Sequence, residues 1–140
     1  MDMNIFLKQN VKLPESEKVV ITKRIADKDG NAAEWEIKAI SNSKDDMLRK
    51  KHMRQVKRGK GVYTPELDTT KYFKELVINS LVYPDLENKD LQDSWGVMGA
   101  DDLLDCLLTP GEYNELLQNV QRVNGWDTSL PDLVDEVKNG

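Results

Sequence analysis

The feature that most constrains the fold of this chain is a helix start at Thr109, where several independent signals agree. Thr109 is a favourable N-cap, Pro110 suits a first helical position where a missing N–H costs nothing, and Glu112 completes a capping box. Asn124 and Gly125 end the predicted helix. The residues of its apolar face recur at helical spacing: Tyr113, Leu116, Leu117, Val120 and Val123.

A second predicted helix precedes Thr109, so that residues 91–126 are expected to contain a helical hairpin. Gly99 comes before Asp101 and Asp102, whose carboxylates the helix dipole favours in a first turn. Cys106 lies in the leucine run that follows and is predicted to be a core residue. As the single cysteine it excludes an internal disulfide, which fits a reducing compartment. The leucines of this helix are Leu103, Leu104, Leu107 and Leu108.

A β-hairpin is predicted near the N-terminus, with strands over residues 18–25 and 32–40 and Asp29-Gly30 in the turn. Trp35 and Ile37 alternate with charged residues, which is typical of a strand with one buried face. Two strands are marginally stable in water, so helices or another strand must cover that face. The predicted fold is α+β, with an antiparallel hairpin or small three-stranded sheet packed on a mostly helical C-terminal half of four to six helices.

The next segment contains the strongest run of positive charge in the chain. Ser43 is the predicted N-cap of a basic helix whose inner face includes Met47 and Leu48 and extends to Met53 and Val56. A short strand at Val62 and Tyr63 follows. The basic side chains, with no acid between Asp46 and Glu66, are Arg49, Lys50, Lys51, His52, Arg54, Lys57, Arg58 and Lys60.

Three further helices are predicted in the second half of the chain. Asp68 is the N-cap of a long helix that ends at Tyr83-Pro84. A short helix starts at Asn88 or Lys89 and ends at Gly96, and residues 129–140 predict a last helix. The apolar face of the long helix comprises Tyr72, Phe73, Leu76, Val77, Leu81 and Val82.

With 140 residues, the chain has the length of a single domain. We divide it into an N-terminal arm over residues 1–14, a hairpin and basic helix over residues 17–66, and a helical part over residues 67–140. The apolar arm is expected to dock on its own domain, with a neighbouring subunit as the alternative. Residues 1–66 contain 15 Lys and Arg against 10 Asp and Glu, whereas residues 67–140 contain 5 against 15. Such asymmetry can orient a protein on a partner or on its own copy.

Enzymatic function is poorly supported, and no catalytic, cofactor-binding or metal-ligating residue is predicted. The single histidine, His52, is expected to be a solvated surface side chain without a nucleophile beside it. Asp101 and Asp102 point in different directions on a helix, and RGKGVYT lacks the spacing of a phosphate loop. No apolar run has the length of a membrane span or a signal peptide, so a cytosolic protein is expected.

Nucleic-acid binding through residues 49–60 is the alternative hypothesis, because this basic segment would contact phosphates and Tyr63 would stack on a base. A sequence pI of about 5.0 and the acidic second half speak against it. A small nucleic-acid-binding regulatory protein is therefore the second choice.

The runs LQDSWGVMGADDLL and LLTPGEYNELLQNVQRVNGW, with EKVVITKRI, AEWEIKAI and GVYTPELDTTKY before them, resemble the XkdN-like phage tail assembly chaperones of PBSX-type prophages. The resemblance extends over most of the chain. It implies a non-enzymatic protein of the bacterial host cytoplasm that needs no cofactor and is absent from the mature virion. Its implied partner is the tape measure protein, kept soluble until the tail tube assembles; the tail-tube protein is another possible partner.

Six residues are predicted to bind the partner. Trp95, Val97 and Met98 lie beside two glycines in SWGVMG, and aromatic and methionine side chains suit surfaces that accept varied helical faces. The alternative is that these three fill a gap between helices. The other candidates come from the basic segment: Arg49, Lys50 and Arg54.

Overall fold

The computed structural model describes residues 2–126, which contain five strands and five helices. Two short 3-10 turns, Met3–Phe6 and Lys8–Asn10, come before the first strand. The elements in chain order are β1 (Glu17–Val20), β2 (Glu34–Ile37), α1 (Asn42–Lys51), β3 (Met53–Gly59), β4 (Val62–Leu67), α2 (Thr69–Ser80), β5 (Leu81–Tyr83), α3 (Lys89–Trp95), α4 (Ala100–Leu107) and α5 (Pro110–Val123).

The predicted N-terminal hairpin is present and forms part of a three-stranded antiparallel sheet in the order β1-β2-β5. Val19 lies opposite Trp35, and Ile37 lies opposite Leu81. Gly30 has φ +86° in the connection between β1 and β2, a conformation that favours glycine. The strands are shorter than predicted, but the α+β class is confirmed.

The core lies between this sheet and the helices. Trp35 and Ile37 point into it from β2, where Glu34 and Glu36 alternate to the other face. The helices α2, α4 and α5 contribute their predicted apolar faces. Their most deeply buried members are Tyr72, Leu76, Val77, Leu103, Leu104, Leu116 and Val120.

Local capping chemistry sets the helix starts as the sequence predicts. Thr109 and Glu112 form a complete capping box at the start of α5. The side chain of Asp68 caps α2, and that of Asn88 caps α3. Gly96 ends α3 in the left-handed region at φ +68°.

Side chains at the end of α5 join it to the sheet region. Both guanidinium NH2 groups of Arg122 donate to the carboxylate of Glu17 at 2.7 and 2.8 Å. The side-chain oxygen of Asn124 accepts from the backbone N–H of Ile40 at 2.9 Å, and its amide nitrogen donates to the Ser80 hydroxyl at 3.1 Å. Residues that are far apart in sequence are therefore fixed to one another at this corner.

The prediction of one long basic helix is wrong. The N-cap of α1 is Ser41 rather than Ser43, and the helix stops at Lys51. Met53 and Val56, predicted on its inner face, belong to β3, which pairs with β4 in a second antiparallel hairpin. The tertiary fold determines that the segment from Met53 onwards is a strand rather than a helix. The Asp68 N–H donates to the His52 carbonyl at 2.9 Å and so closes the base of that hairpin.

Other expectations also need correction. Leu81 and Val82 continue the helical pattern of α2 but form β5, since the Lys38 N–H donates to the Ser80 carbonyl at 2.8 Å and draws the chain into the sheet. Cys106 is exposed, because the buried side of α4 is formed by its leucines. The predicted last helix lies outside the described residues.

The N-terminal arm does not dock on its own domain as expected. None of the described residues up to Ser16 is buried. Its large apolar side chains remain exposed to water: Met3, Ile5, Phe6, Leu7, Val11 and Leu13.

Candidate partner-binding groove

A groove of about 960 Å³ opens between α1, α2 and the start of α4. Leu48 and Ile78 form apolar parts of its lining, and Ala100 contributes at the N-terminal end of α4. Met47 also lines the groove and is 61% exposed, so a flexible thioether side chain is available to an incoming molecule. The groove therefore combines an apolar floor with an adaptable edge.

Lysines from α1 and α2 give this groove a positive side. Lys51 donates to Glu75 at 2.5 Å, and Lys74 pairs with Asp105 at 2.6 Å. Lys44 and Lys71 have no ion-pair partner within residues 2–126. These two ammonium groups are thus available to an acidic partner.

His52 lies at this groove rather than on an open surface. Its Nε2 is 2.8 Å from a carboxylate oxygen of Glu75, and its side chain is 12% exposed. Burial alone would raise the pKa of Glu75, but the hydrogen bonds from Lys51 and His52 outweigh burial and lower it. The expectation of a solvated histidine is therefore wrong, and the ring instead joins the end of α1 to α2.

The predicted basic site residues are paired with acids of the same molecule. Arg49 donates to Asp45 at 2.9 Å, and its guanidinium lies 4.7 Å from the centroid of the Tyr72 ring. Lys50 pairs with Asp46 at 3.0 Å. In the following hairpin Arg54 lies 3.6 Å from Asp68, and Arg58 pairs with Glu66 at 2.5 Å.

The ion pairs within the molecule weaken the hypothesis that the basic segment binds nucleic acid. Among the basic residues from Arg49 to Lys60, only Lys57 and Lys60 have no acidic partner within the described chain. Phosphates would have to compete with internal carboxylates for the others. The structure therefore gives the basic segment less free charge than the sequence suggests.

The three predicted apolar site residues have different environments. Val97 is half-buried and packs on the core, which fits the interpretation that it fills a gap between helices. Trp95 is 43% exposed at the end of α3, and Met98 is 89% exposed. Met98 directly precedes Gly99, which lines the groove. Met98 therefore lies next to the groove along the chain, whereas Arg49, Lys50 and Arg54 do not line it.

Sequence reasoning missed the groove residues on α2. Lys71, Lys74 and Ile78 recur at spacings of three and four residues, which places them on one helix face. That face would have been visible in the sequence as a stripe adjoining the apolar face of α2. It was missed because the groove exists only when α1 and α4 flank this stripe.

The described part of the chain has neither a metal-binding cluster nor a helix that could span a membrane. In residues 2–126, no three His, Cys, Asp or Glu side chains come together in an arrangement able to hold a metal ion. Over the same residues, none of the helices combines the length and the apolar character that crossing a membrane requires.

Two proteins of Bacillus subtilis (strain 168) are similar to this chain over nearly its whole length. The protein XkdN of the phage-like element PBSX of Bacillus subtilis (strain 168) is 31% identical over 99% of this chain and 94% of its own length. The uncharacterized protein YqbN of the same organism is 30% identical over 99% of this chain and 93% of its own length.

The fold has a counterpart in a solved structure. The crystal structure of YqbN superposes with a TM-score of 0.77 at 26% identity, covering 91% of this chain and 98% of that one. The family of phage XkdN-like tail assembly chaperones matches residues 3–138. The resemblance inferred from the sequence is thereby confirmed, and the chain belongs to the phage XkdN-like tail assembly chaperone family.

Proposed function

We propose that this chain binds amphipathic helical segments of the tape measure protein and keeps that protein soluble during tail assembly. The observation that supports the proposal is the open groove between α1, α2 and α4, with Met47 exposed along it. Insertion of an apolar helix face into such a groove is a common mode of peptide recognition. Binding rather than covalent chemistry is then the function of the site.

The dimensions of the groove suit a short piece of helix. A helix about 10 Å across with a pitch of about 5.4 Å fills roughly 420 Å³ per turn. A groove of about 960 Å³ therefore accommodates roughly two turns. Two turns present two or three apolar side chains, which gives weak binding by one copy and strong retention by many copies on one long partner.

Charge along the groove selects among helices. Lys44 and Lys71 favour a segment with acidic residues beside its apolar stripe. Met47, and Met98 next to the groove along the chain, adapt to apolar side chains of different shape. Glu87 and Asp101 also line the groove and have no cationic partner within residues 2–126, so they favour basic residues on the helix. The proposed recognition is accordingly tolerant of sequence and specific for an apolar stripe with charged flanks, acidic towards the two lysines and basic towards the two carboxylates.

The proposal places the protein in the host cytoplasm until the tail-tube subunits polymerise and displace it. It is then absent from the mature particle. The tail-tube protein is a second possible partner, because it must replace the chaperone on the same surface of the tape measure protein.

Co-expression with the tape measure protein encoded by the same phage or prophage tests the proposal. We expect more soluble tape measure protein with this chain than without it, and co-purification of the two. Met47→Asp should abolish both effects because it places a charge in the groove. Met53→Asp is the matched control, since Met53 is 45% exposed and lies in β3 outside the groove.

A folded Met47→Asp variant that retains full solubilising activity would contradict the groove as the binding site. Absence of any gain with the unchanged chain would contradict the function itself.

A further inference from the structure

The described chain ends beside a helix that forms one wall of the groove. The guanidinium carbon of Arg49 lies 5.6 Å from the centroid of the Trp126 ring, and Arg49 belongs to α1. Leu48 and Lys51 of the same helix line the groove. Residues 127–140 therefore continue the chain from a point close to the groove.

The sequence of this last segment has the period of an amphipathic helix. Ser129 and Asp132 have the spacing of an N-cap and the third helical residue, and Pro131 between them is compatible with a first turn. The apolar residues recur at positions i, i+3, i+4 and i+7, which places them on one helix face. We call these four residues the tail stripe: Leu130, Leu133, Val134 and Val137.

The tail stripe has the length that the groove accommodates. In a helix, the eight residues from Leu130 to Val137 extend about 12 Å, which is roughly two turns. The groove volume of about 960 Å³ also corresponds to roughly two helical turns. The whole stripe therefore fits into the groove, with no apolar residue of the stripe left outside it.

Charged residues lie on both sides of the tail stripe. Glu136 comes three positions after Leu133, and Lys138 comes four positions after Val134. Residues at these spacings are neighbours on a helix surface, so the carboxylate and the ammonium group lie on opposite flanks of the stripe.

The groove has complementary charges on different elements. Lys44 of α1 and Lys71 of α2 line it, as do Glu87 and, at the start of α4, Asp101. None of these four residues has an ion-pair partner within residues 2–126. A helix with an acidic flank and a basic flank can therefore satisfy both kinds of charge at once.

The connection to the tail stripe is long enough to reach the groove. Leu130 comes four positions after Trp126, and an extended chain spans at most about 3.3–3.6 Å per residue, hence up to about 14 Å. A helix such as α1 is about 10 Å across, so the chain can pass from Arg49 to the groove side of this helix. So short a tether gives an effective concentration of about millimolar, which favours the groove of the same chain over that of a second copy.

We propose that the tail stripe docks as a helix in the groove of its own chain. The inference rests on the helix-binding groove that the proposed function uses, and it adds that this groove has a competitor within the same molecule. A helical segment of a partner must displace the tail before it binds. Binding of each segment is then weaker than the groove alone would allow, which keeps the contact reversible.

Methyl NMR of the full chain with ¹³C-labelled methionines tests the contact without any tape measure protein. Met47→Leu identifies the Met47 signal. A tail variant, Leu133→Asp with Val137→Asp, should release the tail and shift that signal. The signal of Met53, which lies in β3 outside the groove, should stay unchanged and so report that the fold is intact.

Thr128→Asp with Asn139→Asp is the matched control. It adds the same charge to the segment at positions outside the tail stripe, and it should leave the Met47 signal where it is in the unchanged chain.

A spin label provides a second measurement that keeps the tail stripe intact. A nitroxide on Gly140→Cys, in a chain that also has Cys106→Ser, should cause loss of the Met47 signal when the label and the ¹³C are on the same chain. In an equimolar mixture of spin-labelled chains and ¹³C-labelled chains, the signal should keep its intensity.

The proposal is overturned if the Met47 signal has the same position in the unchanged chain and in the tail variant. It is also overturned if the nitroxide acts only between chains, since the tail would then bind a second copy. Failure to bind the tape measure protein would leave both measurements unaffected, and it would overturn the proposed function alone.

Discussion

The hydroxyl of Tyr72 donates a hydrogen bond to the carboxylate of Asp45, and this bond joins α2 to the first turn of α1. Both residues are buried, and Arg49 completes the arrangement by bonding to Asp45 and lying over the Tyr72 ring. A buried carboxylate is stable only when such partners replace water. The position of α1 against α2, and hence the width of the groove, depends on these three side chains.

Tyr72→Phe should destabilise the fold by about 1 kcal/mol at neutral pH, because Asp45 loses a buried hydrogen bond. Burial and the bond to Asp45 raise the pKa of Tyr72 to about 12. An unfolded tyrosine ionises near pH 10, so the free energy of unfolding should decrease as the pH rises from about 10 to 12. The Phe variant should lack that part of the decrease.

Urea denaturation between pH 7 and pH 11 measures both effects. Tyr63→Phe is the matched control, because Tyr63 is exposed on β4. Removal of its hydroxyl should change neither the free energy of unfolding at neutral pH nor the decrease of that free energy at alkaline pH. An equally steep alkaline decrease in the Tyr72→Phe variant would show that another group causes it.

Glu112→Gln should weaken the start of α5 and change its response to acid. Hydrogen bonds from Arg24 first, and then from the Thr109 N–H at 2.8 Å, hold the pKa of Glu112 well below its usual range. Because the folded pKa is depressed, this stabilisation is present above the unfolded value of about 4.3 and is lost as the pH falls below it. The Gln variant should start less stable at pH 7 and lose less stability below about pH 4.

Thermal unfolding between pH 2.5 and pH 7 tests the prediction for Glu112. Glu115→Gln, on the exposed side of the same helix, should behave like the unchanged chain. Parallel acid profiles for Glu112→Gln and the unchanged chain would disprove the role assigned to this carboxylate.

Leu104→Ala should destabilise the protein by about 2–5 kcal/mol, since Leu104 is 1% exposed in the core and its truncation leaves a cavity. Met98→Ala should change stability by less than about 0.5 kcal/mol, because the Met98 side chain is 89% exposed. Chemical denaturation of the two variants compares them directly. A large decrease in the free energy of unfolding of the Met98→Ala variant would mean that this side chain has a structural role.

Deletion of residues 2–13 should leave the unfolding temperature almost unchanged. None of these residues is buried, so the folded state loses no core contact when they are removed. A clear drop in unfolding temperature would contradict the exposed position of the arm.

The sequence predicts best the elements whose limits are set locally. Thr109, Asp68 and Asn88 mark helix starts through hydrogen bonds to residues three positions away, and no distant contact is needed to recognise them. Trp35 and Ile37 likewise indicate a buried strand face by alternation alone.

Prediction fails where a distant segment decides the conformation. Leu81 continues the apolar period of α2, and only its pairing with Ile37 in β2 makes it a strand residue. The segment from Met53 to Gly59 is as compatible with a helix as with a strand until β4 lies beside it. The groove escapes prediction for the same reason, because its walls come from three helices that are separate in sequence.

The corner at which Arg122 and Asn124 meet Glu17 and Ile40 sets an order of events during synthesis. Glu17 in β1 meets Arg122 across 105 positions and Ile40 meets Asn124 across 84, and such long-range closure is slow compared with helix formation. β1 can pair with β2 early in synthesis, but this corner closes only after the ribosome has released α5. Any fragment that ends before Arg122 therefore lacks both of the contacts that tie α5 to β1 and to Ile40.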